Sequence, residues 1–339
     1  MKAVVVHGAM DLRVDQVEVR DPESSEVVIN ISYGGICGSD LHYWQHGRNG
    51  SFQITEPLVL GHEVVGTVAA FGQAVTGFVV GQGVAVHPAT PCPQPGAEPQ
   101  GLHLIPGGTY LGSASTTPHT QGGLAQQLVV QADQLRKLPE GLELRRAALA
   151  EPLAIALHGV GRLGEQVKGA RCFVSGAGPI GLLAAAVLRI RGAAHVDIAD
   201  VQPRALQVAK QLGVDETLNV GAGDRPETMG YDIGIEAAGV MPSLQTVLDA
   251  VRRAGSVLQL GILPRDPGSI ALSEIGLREL TVYGSQRFET ELDEALELLV
   301  AHPQLEQVIS HVFDLERAQQ AFEMAADSAQ SSKVLIQLA

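Results

Sequence analysis

The sequence predicts an α/β protein of two domains, one rich in β-strands and one built on a parallel sheet. Its 339 residues match the size of about two domains. Short apolar runs separated by Gly and Pro fill residues 1–150, which is typical of a β-rich fold. Strands and helices then alternate from about residue 150, which indicates a parallel sheet with right-handed crossovers.

The β-rich part contains four clear strand patterns and one long irregular stretch. The predicted strands cover residues 3–6, 26–31, 64–68 and 83–86. Residues 88–122 are rich in Pro, Gly, Thr and Gln and show little periodicity. We therefore expect that stretch to form a surface lobe.

The alternating part predicts six strands and two helices before the pattern changes again. The strands are expected at 171–175, 196–200, 217–220, 232–235, 257–260 and 280–283, with helices at 180–191 and 205–212. Beyond these, helices are predicted at 291–301 and 316–326, and strands at 309–313 and 333–338. The apolar strand 280–283 could be a sheet edge that pairs across a two-fold axis.

Composition excludes several classes of protein. Three cysteines are too few for a disulfide framework at this length. The net charge of −14 argues against nucleic acid as a partner. No apolar run is long enough for a membrane span, and no cleavable signal precedes the first predicted strand. We expect a cytoplasmic protein that acts on a small molecule.

A glycine-rich turn follows the predicted strand 171–175 and precedes the helix 180–191. Its sequence, GAGPIG over residues 176–181, has the spacing of a dinucleotide fingerprint. The glycines would let a pyrophosphate approach the helix N-terminus, where free N–H groups favour anions. The alternative is a Gly-rich turn that binds no cofactor. The candidate contacts are Gly176, Gly178, Pro179, Ile180 and Gly181.

Asp200 lies 19 residues after Gly181, at the end of the next predicted strand. An acid there is expected to accept hydrogen bonds from the adenosine ribose and to repel a 2′-phosphate, so NAD is favoured over NADP. Arg204 weakens that preference, because it could bind such a phosphate. Asp200 could also be a solvated acid at a strand end.

Cys37, His62 and Glu63 offer a thiolate, an imidazole and a carboxylate, which are ligand types that zinc prefers. A catalytic zinc uses three protein ligands, and both Glu63 and Glu151 are candidates for the third position. Alternatively, Cys37 is a small buried apolar residue and His62–Glu63 a surface pair. A Lewis-acid metal and a hydride carrier in one chain indicate oxidation of an alcohol or reduction of a carbonyl.

Polar residues close to Cys37 suggest a path for the alcohol proton. Ser39 and His42 could pass it to solvent, with the ribose hydroxyl as a link. Asp40 could orient the histidine ligand. All three could instead be turn and cap residues.

Five segments together resemble the zinc-dependent medium-chain alcohol and polyol dehydrogenases. They are GGICGSDLHYW, GHEVVG, EPLAIALHG, SGAGPIG and the closing strand, and the resemblance spans essentially the whole chain. It implies a GroES-like catalytic domain over 1–150 and 287–339 and a Rossmann coenzyme domain over 151–286. It also implies a homo-oligomer, a dimer or tetramer.

The resemblance also implies roles for individual residues. Cys37, His62 and Glu63 match zinc-site positions of the polyol enzymes, and Glu151 matches a residue that binds zinc directly or through water. Ser39 and His42 match proton-relay positions, with Glu151 the third candidate catalytic residue. Tyr43 matches a pocket aromatic.

One feature departs from many relatives, which bind a second, structural zinc with four cysteines. Counting from Cys92 with their spacing gives Pro95, Glu98 and Pro106. One thiolate cannot build a closed tetrahedral site, so we expect one catalytic zinc and no structural zinc.

Arg287 follows the last Rossmann strand, in a segment that the resemblance places at the cleft. Its guanidinium could bind a substrate carboxylate in a bidentate manner. It could equally bind neutral hydroxyls or the cofactor, or lie at a subunit contact. Arg48 and His119 are weaker candidates for the same role, and Tyr43, Trp44 and Phe52 could line the pocket or fill the core.

The resemblance implies zinc-assisted hydride transfer to NAD⁺ from a secondary alcohol of a sugar acid or polyol, with L-idonate and 5-ketogluconate as the leading pair. The same mechanism would also serve sorbitol, xylitol, a diol or threonine. Two other classes are a zinc-free quinone reductase of the same fold and a dinucleotide-binding protein without catalysis.

Overall fold

The computed structural model describes residues 1–92, 101–104, 107–264 and 269–339. Three sheets of three, seven and six strands dominate these residues, together with two small two-stranded pairs. One large apolar cluster is formed mainly around the six-stranded sheet and a second mainly around the seven-stranded sheet. This confirms the predicted α/β class with a β-rich part and a parallel sheet.

Among the described residues before position 140 there are twelve strands. They are Lys2–Gly8 (β1), Asp11–Gln16 (β2), Glu26–Gly35 (β3), Arg48–Asn49 (β4), Phe52–Gln53 (β5), Leu58–Val59 (β6), Glu63–Phe71 (β7), Gly83–Val86 (β8), Ala89–Thr90 (β9), Thr109–Tyr110 (β10), Gln127–Gln131 (β11) and Leu135–Lys137 (β12).

The seven-stranded sheet takes its last two strands from the far end of the sequence. Ile309–Asp314 (β19) and Lys333–Gln337 (β20) run parallel to each other, and β20 pairs antiparallel with β3. On its other side β3 pairs with β7, so Gly35 lies opposite both Glu63 and Leu335. Residues about 270 positions apart are thereby brought to one corner of the sheet.

Six parallel strands form the second large sheet. They are Arg171–Ser175 (β13), His195–Asp200 (β14), Glu216–Asn219 (β15), Tyr231–Glu236 (β16), Val251–Gln259 (β17) and Thr281–Gly284 (β18), in the order β15-β14-β13-β16-β17-β18. The chain reverses direction across the sheet between β13 and β16. In doubly wound sheets, ligands bind outside the carboxyl ends of the strands at such a switch point.

Nine helices connect and cover these sheets within the described residues. They are Gly38–His46 (α1), Leu144–Ala147 (α2), Ala150–Gly161 (α3), Pro179–Ile190 (α4), Pro203–Gln211 (α5), Met241–Ala250 (α6), Ser273–Leu277 (α7), Glu291–Ala301 (α8) and Ala318–Ala326 (α9). No helix in this part of the chain has the length and apolar character that crossing a bilayer demands.

Several boundaries differ from the predicted ones for identifiable reasons. Helices α4 and α5 begin at Pro179 and Pro203, because proline fits the first helical position, where its missing N–H is not needed. Helices α1, α2, α3, α6 and α7 were not predicted. In α3, Pro152 and two glycines lower the helix propensity, and burial in the core stabilises the helix instead.

The predicted surface lobe over 88–122 is wrong for part of its length. Strand β10 pairs with β9, and Tyr110, Leu111 and His119 are buried. Cys92 is exposed and forms no disulfide. The other three positions of the missing cysteine motif, Pro95, Glu98 and Pro106, lie outside the described residues.

Candidate metal and cofactor site

Asp40 fixes the backbone around the predicted metal ligands. Its fully buried carboxylate accepts one hydrogen bond from the Cys37 N–H at 2.9 Å and another from the Gly61 N–H at 3.1 Å. The His62 ring is 4.0 Å from the same carboxylate, too far for a hydrogen bond. Asp40 therefore positions the two segments that carry Cys37 and His62, rather than orienting the imidazole directly. Burial raises the pKa of Asp40 against the lowering effect of His62.

Cys37, His62 and Glu63 come together in one cluster. One ligand atom of each lies within 4.8 Å of the other two, and both His62 and Glu63 are buried. Burial lowers the pKa of His62, but the charges of Cys37 and Asp40 outweigh burial and raise it well above its usual range. The set of one sulfur, one nitrogen and one oxygen donor fits a zinc ion.

Lys333 completes this cluster and was missed by the sequence analysis. Its ammonium group donates to both oxygens of Glu63, at 2.6 and 2.7 Å, and to the Ile36 carbonyl at 3.1 Å. Burial lowers the pKa of Lys333, but the charges of Glu63 and Cys37 raise it above its usual value. The available signal was a lysine at the start of a strand whose next residues are all apolar.

A glycine on β3 makes room for this arrangement. A Cβ atom at Gly35 would lie 2.0 Å from an oxygen of Glu63, a distance that no real side chain tolerates. Gly35 therefore allows the Glu63 carboxylate to lie against the neighbouring strand and reach Lys333.

Glu151 lies at the edge of the cluster, outside the group of three. It lies in the first turn of α3 and accepts a hydrogen bond of 2.7 Å from the Tyr110 hydroxyl. The Tyr110 ring in turn meets the His62 ring edge-on, with centroids 5.4 Å apart. Burial raises the pKa of Glu151 to about 7, opposed by the charge of His62. The structure thus groups Glu63, not Glu151, with the other two donors.

Arg287 follows β18, the last strand of the parallel sheet, and contacts the Tyr110 ring. Its guanidinium lies over the Tyr110 ring, 4.2 Å from the centroid. Its backbone has φ +53°, which is uncommon for a residue other than glycine. Arg287 therefore stacks on the ring that also contacts His62 and whose hydroxyl donates to Glu151.

The two predicted relay residues lie on α1, directly after Cys37. Ser39 is half-buried and His42 is exposed. Partial burial and the nearby His46 both lower the pKa of His42. The helix thus places a hydroxyl near the cluster and an imidazole toward solvent.

Tyr43 and His119 both have structural partners. Tyr43 is buried in the core of the β-rich part, and its hydroxyl accepts a hydrogen bond from the Ala114 N–H at 3.0 Å. Nε2 of His119 accepts from the Thr55 N–H at 3.0 Å, so Nδ1–H donates to the Thr116 carbonyl at 2.9 Å. Both ring nitrogens of His119 are thus engaged in holding loops, and its predicted substrate contact stays a prediction.

The glycine-rich turn lies at the carboxyl end of β13, at the switch point of the parallel sheet. Gly176 has φ +104°, and a Cβ at Gly181 would lie 1.9 Å from the Gly176 carbonyl oxygen. At Gly178, the N-cap of α4, a Cβ would meet no heavy atom within 4 Å. No side chain caps the helix there, and Pro179 and Ile180 begin it half-buried. Free N–H groups facing open space fit a dinucleotide pyrophosphate.

Asp200 ends β14 beside this turn. Its carboxylate accepts hydrogen bonds from the Ala177 N–H at 2.6 Å and the Gln202 N–H at 2.8 Å. It thereby fixes the turn, and each oxygen keeps a lone pair for a ribose hydroxyl. Arg204 follows in α5, with a buried Nη1 that has no hydrogen-bond partner among the described residues.

Glu236 is a second functional candidate that the sequence analysis missed. It ends β16, is fully buried, and accepts hydrogen bonds from the N–H groups of Ala238 at 2.9 Å and Gly239 at 2.8 Å. These bonds shape the loop that packs against Gly176. An acid directly after the buried run Ile-Gly-Ile at the end of a strand, as in YDIGIE, was the available signal.

Residues 23–140 match the alcohol dehydrogenase GroES-like domain family, and residues 179–301 match the zinc-binding dehydrogenase family. The chain belongs to the zinc-dependent medium-chain alcohol dehydrogenases. The predicted GroES-like and Rossmann folds are thereby confirmed.

Individual relatives lie within the polyol and sugar-acid branch. Sorbitol dehydrogenase of Gallus gallus is 33% identical, over 95% of this chain and 92% of the relative. L-idonate 5-dehydrogenase (NAD(P)(+)) of Escherichia coli is also 33% identical, over 98% and 97%. The crystal structure of L-idonate 5-dehydrogenase from E. coli superposes with a TM-score of 0.93 and 31% identity, covering 99% of this chain and 98% of that one. 2R,3R-butanediol dehydrogenase from Bacillus subtilis follows with a TM-score of 0.88 and 26% identity, over 100% and 99%.

Proposed function

We propose that the protein oxidises a secondary alcohol of a sugar acid, with L-idonate as the leading substrate and 5-ketogluconate as its product. The observation that carries this proposal is the position of Arg287, whose guanidinium lies over Tyr110 beside the Cys37–His62–Glu63 cluster. The relatives named for L-idonate and sorbitol support an acid or a polyol as substrate.

Cys37, His62 and Glu63 are the proposed zinc ligands, and zinc bound there would supply a Lewis acid for the substrate oxygen. Lys333 balances the charge of Glu63 and holds its carboxylate against the cluster. Glu151, with a raised pKa near neutrality, can hold a proton next to that oxygen. Ser39 and His42 would carry the substrate proton from the buried site to solvent.

Arg287 would bind the substrate carboxylate and so orient the reacting hydroxyl. The net charge of −14 makes a local cation necessary for an anionic substrate. A neutral polyol gains less from this contact, since its hydroxyls offer no charge.

We propose NAD as the favoured cofactor, bound by the turn 176–181. Asp200 would accept from the ribose hydroxyls and disfavour a 2′-phosphate. Arg204 is the feature that would allow some use of NADP.

We propose a homodimer formed through the edge of the parallel sheet. Strand β18 is the last strand of that sheet, and its Thr281 and Val282 are exposed. An apolar exposed edge of this kind offers unpaired backbone groups to a second copy.

The test combines metal analysis with a substrate panel. Purified protein should contain about one zinc per chain and should reduce NAD⁺ with L-idonate, sorbitol and xylitol in decreasing order of kcat/KM. Arg287→Ala should reduce kcat/KM for L-idonate by at least about tenfold, and for sorbitol far less. Absence of zinc, or equal losses on the acid and the polyol, would contradict the metal or the carboxylate role respectively.

A further inference from the structure

Arg287 occupies a backbone conformation that needs support. Its φ of +53° is unfavourable for a long side chain, and such a conformation persists only where the surroundings impose it. The residues that follow it, 288–291, connect the end of the parallel sheet to α8 and make unusually many polar contacts.

Glu291 is the centre of these contacts. One oxygen of its carboxylate accepts from the backbone N–H groups of Glu289 at 2.8 Å and Thr290 at 2.9 Å. The other oxygen accepts from Nδ1 of His158 at 2.7 Å. A negative charge in the first turn of α8 is also favoured by the helix dipole. Glu291 thus folds the segment back on itself and ties it to α3.

The preceding residues are anchored from the opposite side. The Phe288 side chain is buried, with its ring 4.7 Å from the ring of His87. Nε2 of His87 donates to the Glu289 carbonyl at 3.0 Å. His87 follows strand β8, which belongs to the seven-stranded sheet. The segment is therefore held between a residue of α3 and a residue of the β-rich part.

Helix α3 connects the His158–Glu291 contact to Glu151, which lies at the edge of the Cys37–His62–Glu63 cluster. His158 lies seven residues after Glu151, so the two side chains share one face of the helix. Glu151 bonds to Tyr110, and Arg287 stacks on that same ring. Helix α3 therefore carries both Glu151, which holds the Tyr110 ring, and His158, which holds Glu291.

We propose that Glu291, held by His158, is a positioning residue that keeps Arg287 over Tyr110 and so sets the preference of the site for an anionic substrate. The proposal rests on the carboxylate role of Arg287 given above. Glu291 touches neither substrate nor cofactor, and it acts through the backbone of 287–290.

The test compares Glu291→Ala and Glu291→Gln with Glu297→Ala, which removes an exposed acid from the same helix. Glu291→Ala should raise KM for L-idonate by about tenfold, because Arg287 loses its fixed orientation. Its kcat, its zinc content and its kcat/KM for sorbitol should stay within about twofold of wild type. Glu291→Gln keeps an oxygen acceptor and should recover part of the loss, and Glu297→Ala should match wild type.

Two further measurements separate positioning from general damage. In an Arg287→Ala background, Glu291→Ala should have no additional effect on the ratio of acid to polyol activity. Hydrogen exchange of the backbone amides at 289 and 290 should accelerate in Glu291→Ala, since both lose their acceptor.

The outcomes distinguish this inference from the proposed function. If Arg287→Ala changes the acid-to-polyol ratio and Glu291→Ala does not, the positioning role is wrong and the substrate proposal stands. If Arg287→Ala leaves the ratio unchanged, the substrate proposal fails and the positioning role falls with it, even where exchange at 289 and 290 accelerates. Equal losses on both substrates in Glu291→Ala would show a merely structural role.

Discussion

Lys333 and Glu63 form an ion pair with almost no exposure, since their side chains are 3% and 1% accessible. Removing one partner of such a pair leaves a buried charge without compensation. The free energy of unfolding should therefore fall most when only one of the two residues is changed.

Lys333→Met is expected to destabilise the metal-free fold by about 3–5 kcal/mol, because Glu63 then remains charged and buried with no cation beside it. The double variant Lys333→Met/Glu63→Gln should recover much of this loss. Thermal or urea unfolding measures both. Lys2→Ala removes a lysine from an ion pair that is largely exposed and should cost at most about 1 kcal/mol. A Lys333→Met protein as stable as wild type would show that the buried pair is dispensable.

Arg204→Gln tests cofactor choice. If the Arg204 guanidinium, whose buried Nη1 has no hydrogen-bond partner among the described residues, meets a 2′-phosphate, its loss should weaken NADP⁺ binding by about tenfold or more. NAD⁺ binding should stay within about twofold. Fluorescence titration with each nucleotide gives the two Kd values. An unchanged ratio of these values would mean that Arg204 does not contact the phosphate.

At the scale of elements, the start of α4 offers a matched pair of glycines. Gly178 has φ −67° and open space around its missing Cβ, whereas a Cβ at Gly181 would collide with the Gly176 carbonyl. Gly178→Ala should therefore keep the melting temperature and weaken NAD⁺ binding, because the methyl group enters the proposed pyrophosphate space. Gly181→Ala should lower both the melting temperature and the affinity for NAD⁺, because the added Cβ forces α4 away from the turn. Calorimetry and nucleotide titration measure these effects, and undiminished binding in Gly178→Ala would argue against a pyrophosphate at this turn.

Helix α8 predicts a dependence of stability on pH. Burial raises the pKa of Glu291, but the His158 and backbone hydrogen bonds outweigh burial and lower it to about 2, from an ordinary value of 4.5. A carboxyl with a depressed pKa stabilises the fold above its ordinary pKa, and that contribution disappears as the pH falls through the folded value. Glu291→Gln should thus cost about 2 kcal/mol near neutral pH.

Urea unfolding at about pH 7 and about pH 3 measures the difference in unfolding free energy between wild type and Glu291→Gln. That difference should shrink by roughly half at the lower pH. Glu297→Gln, an exposed acid on the same helix, supplies the control. A difference that stays constant with pH would show that Glu291 is not held in its ionised form.

For the whole molecule, the sequence predicted the two-part fold because periodicity and glycine spacing are local properties of the chain. Such local patterns predicted strands β13 and β14, the turn 176–181 and the ligand types at residues 37, 62 and 63. The boundary positions 150/151 and 286/287 stay a prediction.

What could not be predicted depends on contacts between distant residues. Lys333 meets Glu63 only because β20 pairs with β3, and Tyr110 reaches Glu151 only because β10 folds back on β9. Both residues have ordinary local sequence environments. Their roles arise from the pairing of strands, which a local pattern does not encode.

The proposed dimer belongs to this scale as well. Val282→Lys would place a charge on the exposed edge strand of each copy, and it should shift the protein toward monomers in analytical ultracentrifugation. Val79→Lys is the control, since Val79 is 64% exposed in a loop and Val282 is 47% exposed in the edge strand. A Val282→Lys protein that sediments like wild type would rule out this edge as the interface.

The pairing of β20 with β3 also constrains the order in which the protein can mature. Glu63 is made early during translation, and the lysine that neutralises it emerges about 270 residues later. Until then, the nascent β-rich part must keep this carboxylate in water or protonated, because a lone charge is costly to bury. Strand β20 therefore joins the seven-stranded sheet beside Glu63 late in folding. The Rossmann domain can fold before that step, on the ribosome.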